Sequence, residues 1–98
     1  ETPYIMPGSK HIFHQYSIRV KNRDKMMEFL RSHGIPSMIY YPVPLHMQEA
    51  YKYDYKPGDY PVSEEIAKDI ISLPMHTELT DEQIDFISSK VIEFNSLQ

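Results

Sequence analysis

Tyr40, Tyr41 and His46 lie close together in the chain, with Pro42 and Pro44 between them. The two phenols donate and accept hydrogen bonds, and the imidazole adds a ring with two nitrogens. Proline has no N–H and fixes its own φ, so Tyr40 to Pro44 must leave any sheet as a stiff, extended exit. Such a loop at a strand end holds its side chains in set directions, and sites are often built there. The same residues are also compatible with packing and turning alone, so local chemistry leaves both readings open.

The other reactive groups are scattered. His11 and His14 are three apart, and on a strand that spacing puts them on opposite faces. They cannot share a metal ion without a bulge, and a site needs three or four convergent ligands. His33 falls in the last turn of an expected helix, where positive charge is favourable, and His76 falls in an exposed connection. Glu64 and Glu65 read as the acidic first turn of a helix rather than acid/base machinery. The glycines, Gly8, Gly34 and Gly58, are too dispersed for a phosphate loop. The tyrosine-rich stretch 51–60 could stack on bases. A net charge of −4 without a Lys/Arg cluster nevertheless argues against a nucleic-acid partner. The chain has no cysteine, hence no thiolate chemistry, and no apolar run of spanning length. A cytoplasmic setting without a membrane partner is expected. No catalytic, cofactor-binding or metal-ligating set is complete, so the chain either binds something or supplies one wall of a site.

The elements that position these residues follow from periodicity. Ninety-eight residues make one modest core. Residues 1–10, with two prolines and Gly8-Ser9, read as a linker or the tail of a preceding domain, and 11–98 as the domain proper. In the first strand, within Lys10 to Val20, His14, Tyr16, Ile18 and Val20 alternate with polar residues. Asn22 caps a helix from Arg23 to His33 with Met26, Phe29 and Leu30 inward, and Gly34 closes it. Ser37 to Tyr41 reads as a second strand. Met47 to Tyr51 reads as a turn of helix, and Pro57-Gly58 as a turn. Ser63 is the expected cap of a helix carrying Ile66, Ala67, Ile70 and Ile71, and Leu73 to Met75 is the third extended segment. Thr80 to Gln83 is a capping box opening a last helix, with Ile84, Ile87, Val91 and Phe94 inward. The expected fold is α+β: a small three-stranded sheet with three flanking helices, in the order β-α-β-α-β-α.

Three blocks carry a resemblance: His11 to Val20; Phe29 to Ser37 running into Tyr40-Tyr41-Pro42-Val43-Pro44-Leu45-His46 and Ala50-Tyr51; and Ser72 to Gln83. The resemblance they carry extends over roughly residues 10 to 95. The chain resembles the small C-terminal domain of the pyridoxal-phosphate-dependent sugar-nucleotide aminotransferases, the DegT-type group of fold type I. The resemblance implies a parent enzyme that moves an amino group from an amino acid, usually glutamate, onto a keto-sugar carried on a nucleotide diphosphate, as in polysaccharide biosynthesis. The parent is expected to be a homodimer holding pyridoxal phosphate on a lysine of a large preceding domain. None of the lysines here sits in that motif, so this piece alone is expected to be non-catalytic and not to hold the cofactor. The resemblance also implies the substrate-binding residues. Tyr40 and Tyr41 match the family's (His/Tyr)-Tyr pair at the mouth of the site, His46 matches the histidine after the second proline, and His14 is a further candidate with an equally natural structural role. Tyr40 departs from the more frequent histidine and carries no positive charge. Gln15-Tyr16 is similar to members that make 3-amino sugars or 3-amino sugar acids.

Two other classes fit the same residues. One is a stand-alone module binding a nucleotide or sugar through the aromatic loop. The other is an interaction domain whose exposed apolar surface docks on a partner.

Overall fold

The computed structural model describes residues 1–97. Its sheet is a two-stranded antiparallel ribbon of β1 (Tyr16–Arg19) and β2 (Ile70–Leu73). Tyr16 pairs with Leu73, Ser17 with Ser72, Ile18 with Ile71 and Arg19 with Ile70. Helices α1 (Arg23–Ser32) and α3 (Asp81–Ser96) cover its apolar face. Helix α2 (Pro61–Asp69) runs into β2 without an intervening loop.

The period-two alternation of β1 dictates which side is core. Ile18 and Ile71 face the helices and meet Met26, Leu30, Ile35 and Phe94, with Met26, Leu30 and Ile71 fully buried. Each such side chain contributes about 1.5–3 kcal/mol by leaving water. Helix α1 ends in a Schellman motif. Gly34, at φ 73°, donates to the Arg31 carbonyl at 3.0 Å, and Ile35 N–H donates to the Leu30 carbonyl at 2.9 Å. Helix α3 opens with the expected capping box: Gln83 N–H donates to Thr80 Oγ1, and Thr80 N–H to the Gln83 side chain. On the polar face of the ribbon, Arg19 forks onto Asp69 at 2.9–3.2 Å and reaches Glu65 at 2.8 Å, tying β1 to α2.

Several sequence expectations are corrected. The sheet has two strands, not three. Met38 makes one antiparallel bridge to Ser72, with bonds of 3.0 and 2.8 Å, and goes no further. Pro36 and Pro42 bracket it, and Tyr41 has a positive φ of 58°, which no ladder tolerates. The third extended segment lies earlier, at Ile70–Leu73. Ile70 and Ile71 fit helical spacing, but pairing Ile71 with Ile18 buries it completely, and the β-branched run goes to the sheet. Helix α2 begins at Pro61 with Tyr60, not Ser63, in the N-cap position, because proline suits the first helical turn. The first strand begins only at Tyr16, after Phe13 turns at φ 48°, so His14 lies outside it. Asn22 occupies the N-cap position of α1 at φ 58° without a side-chain cap bond. Met47 to Tyr51 resolves into two 3₁₀ turns, Leu45–Met47 and Glu49–Tyr51. Ile84 is 46% exposed rather than in the core. Among the described residues no helix is long and apolar enough to cross a membrane.

Candidate functional site

The polar side of the ribbon is built from Ser17 and Ser72, whose hydroxyls lie 2.7 Å apart. The Met38 bridge to Ser72 carries the following residues to this corner, and the segment before β1 carries His14 and Gln15 to it. His14, Gln15, Tyr40 and Ser72 thus line one cleft of about 180 Å³, flanked by Pro36, Leu73 and Met75. An imidazole, an amide, a phenol and a hydroxyl converge there. They can donate to and accept from sugar hydroxyls and phosphate oxygens without a fixed charge. Drug-sized ligands occupy roughly 300–1,000 Å³. The cleft is smaller than that, so it can enclose only part of a ligand of that size.

Tyr41 lines neither this cleft nor the second cavity described below. It is 82% exposed and has a positive φ immediately before Pro42. Both its bulk and the following proline disfavour that backbone. Strain of this kind persists only where the surroundings over-determine it.

His46 lies elsewhere. It is 7% exposed, while its neighbours Leu45 and Met47 face solvent. Its Nε2 is 2.8 Å from Oε1 of Glu64, in the first turn of α2. The same oxygen accepts the Gly58 backbone N–H at 2.7 Å. Gly58 has φ 95° in the Lys56–Asp59 turn, where Asp59 N–H returns to the Lys56 carbonyl. The His46 bond, then the Gly58 bond, hold the Glu64 carboxyl below its ordinary pKa against desolvation. Glu64 is therefore the acceptor and Nε2 of His46 the donor. Tyr60 packs on the imidazole at 4.9 Å, with Tyr55 next at 5.8 Å. Leu45, His46, Tyr51, Tyr55, Tyr60 and Ser63 line a second cavity of about 430 Å³.

Of the four residues singled out from sequence, the fold therefore brings His14 and Tyr40 together, leaves Tyr41 on the surface and buries His46 under an aromatic cover. Glu64 and Ser72 are not among the expected site residues, and Gln15 enters only through the Gln15-Tyr16 pair. Glu64 looked like a dipole-complementing residue, and nothing local signals a partner eighteen residues away.

A family model for the DegT/DnrJ/EryC1/StrS aminotransferases matches residues 2–92. The chain belongs to that family. It is 45% identical over 94 residues to a pleiotropic regulatory protein of Geobacillus stearothermophilus, covering 95% of this chain and 25% of the relative. It is 37% identical to the UDP-N-acetyl-3-dehydro-alpha-D-glucosamine 3-aminotransferase of Acidithiobacillus ferrooxidans, covering 93% and 24%. Among solved structures, a DegT DnrJ EryC1 StrS aminotransferase from Brucella abortus superposes with a TM-score of 0.87 at 43% identity, covering 96% of this chain and 26% of that one. The Streptococcus pneumoniae protein Spr1654 in its PLP form gives a TM-score of 0.65 at 33% identity, covering 79% and 21%. The chain thus spans about a quarter of the length of these relatives.

Within this quarter the residues do not fit a pyridoxal-phosphate site. No lysine lines either cavity. Lys52 is paired with Glu49, and Lys90 is 2.7 Å from Glu93 on α3.

Proposed function

We propose that this chain is the substrate-side wall of a pyridoxal-phosphate-dependent enzyme that transfers an amino group from glutamate to a nucleotide-linked keto-sugar. The cofactor and its lysine belong to the rest of the parent protein, which the small domain abuts, and the parent works as a homodimer. Membership of an aminotransferase family supports the reaction class. The 3-aminotransferase relative, together with Gln15-Tyr16, supports a 3-keto-sugar on a nucleoside diphosphate as substrate.

The observation that carries the reading is the shared cleft of His14, Gln15 and Tyr40. Tyr40 donates its hydroxyl proton toward a sugar or phosphate oxygen, and His14 and Gln15 complete the polar edge. Tyr41, the next residue, is exposed and lines neither cavity. The chain's own work is to bind and orient.

The test uses the native full-length protein, loaded with pyridoxal phosphate, and UDP-N-acetyl-3-dehydro-alpha-D-glucosamine as the keto-sugar. Tyr40→Phe and His14→Ala are each expected to raise its KM about tenfold, the weight of one lost hydrogen bond of about 1.4 kcal/mol, with the glutamate step unchanged. Unchanged KM in both variants removes the cleft from the site. Absence of the cofactor's visible band from the loaded protein removes the enzyme reading and leaves a binding module.

A further inference from the structure

The arch from Ile39 to Leu45 is held at both ends by one rigid unit. At its start, Met38 exchanges two backbone hydrogen bonds with Ser72 of β2. At its end, His46 is bonded to Glu64 of α2. Helix α2 and strand β2 are continuous, so both anchors belong to the same piece of chain. Between them sit Tyr40, Tyr41 with its positive φ, and the two prolines.

The two anchors differ in kind. The first is backbone pairing and accepts almost any side chain. The second depends on two specific side chains, both largely removed from water: the imidazole is 6% exposed and the carboxylate 18%. The Glu64 oxygen also grips Gly58, so the arch and the 56–59 turn are fastened to one atom. Tyr60 covers the imidazole from the other side. With Nε2 committed to Glu64 and the residue only 7% exposed, the imidazole is held chiefly by the protein itself.

We infer that His46 is a positioning residue: through its bond to Glu64 it keeps the arch taut, and so keeps Tyr40 in the cleft and Tyr41 in its strained conformation. This rests on the reading of Tyr40 as a substrate-side residue. Binding groups need placement within a fraction of an ångström, and a misplacement of about 1 Å can cost up to 100-fold. The tyrosine hydroxyl is therefore only as good as the anchor behind it.

The experiment uses the full-length holoenzyme with 3-fluorotyrosine at position 41, read by fluorine NMR, beside steady-state kinetics with glutamate and UDP-N-acetyl-3-dehydro-alpha-D-glucosamine. In His46→Leu the Tyr41 resonance is expected to move toward the value of free fluorotyrosine. The keto-sugar KM is expected to rise about tenfold with the glutamate step within about twofold. His46→Gln, whose amide can still donate to Glu64, restores both readouts. If His46→Leu does not fold, Glu64→Ala, which removes the acceptor, is judged by the same two readouts. A Tyr41 resonance unmoved in these variants overturns the inference, as does equal loss of both half-reactions or failure of the glutamine to rescue. A moved resonance with the keto-sugar KM indifferent to both Tyr40→Phe and His46→Leu leaves the anchor standing and overturns the substrate-wall reading instead.

Discussion

Nε2 of His46 donates to Oε1 of Glu64 across 2.8 Å, joining the proline loop to the first turn of α2. It is a contact between an element start and a loop end, and Thr80 and Gly34 hold two further element ends in place.

Glu64→Gln gives the pH dependence of this clamp. The folded protein lowers the Glu64 pKa, first through His46 and then through Gly58. A depressed carboxylate contributes stability above its unfolded value, and the contribution fades as pH falls through the folded value. The wild-type advantage over Glu64→Gln in urea midpoint is therefore expected to be full at pH 7 and to shrink on acidification below the ordinary carboxylate range. A gap that stays constant to pH 3 contradicts the assignment.

Ile71→Ala tests where the second strand lies. The side chain is fully buried against Ile18 and the α1–α3 layer. Its truncation is expected to cost about 2–5 kcal/mol in chemical unfolding. Ile70→Ala, at a partly exposed position on the other face, is expected to cost less. Equal costs mean that the 70–73 segment does not alternate.

Thr80→Ala removes one half of the α3 capping box and is expected to cost about 1 kcal/mol, with Thr80→Ser close to neutral. Thermal unfolding of the three proteins side by side reads the difference. An alanine without effect means that the box is not formed in solution.

Gly34→Ala separates conformation from space. A methyl group at Gly34 meets nothing within 4 Å, yet φ is 73°. The expected loss of about 1 kcal/mol comes from the left-handed backbone alone. Gly34→Asn should recover part of it, because asparagine tolerates that region. If alanine and asparagine behave alike, the closure of α1 is not the Schellman turn described above.

The sequence made some of this plain and concealed the rest for physical reasons. Helix α1, its Gly34 closure and the Thr80 box were legible because their signals are local: an apolar stripe, a glycine, a spacing of three. Ile70 and Ile71 were misassigned because a β-branched pair satisfies both a helical stripe and a strand, and only the distant Ile18 decides. Ser37 to Tyr41 reads as a strand by composition, but Pro36 and Pro42 leave room for a single bridge. Tyr40 and His14 are named through the family resemblance; both line one cleft, although His14 lies outside the strand expected to carry it. The burial of His46 was not legible, since its partner lies across an irregular stretch whose path no periodicity records.

The direct passage from Asp69 to Ile70 constrains how this chain can change in length. Between Gln48 and Lys56 the backbone follows short turns at the surface, so residues there can be added or lost with little effect on the core. Between Glu64 and Ser72 there is no such freedom. One inserted residue in that interval exchanges the two faces of β2, bringing Ser72 toward the apolar layer and Ile71 toward the cleft, and rotates Glu64 about 100° around the helix relative to the strand. Natural or engineered variants of this domain should therefore differ in length on the tyrosine side and keep the spacing from Glu64 to Ser72 fixed.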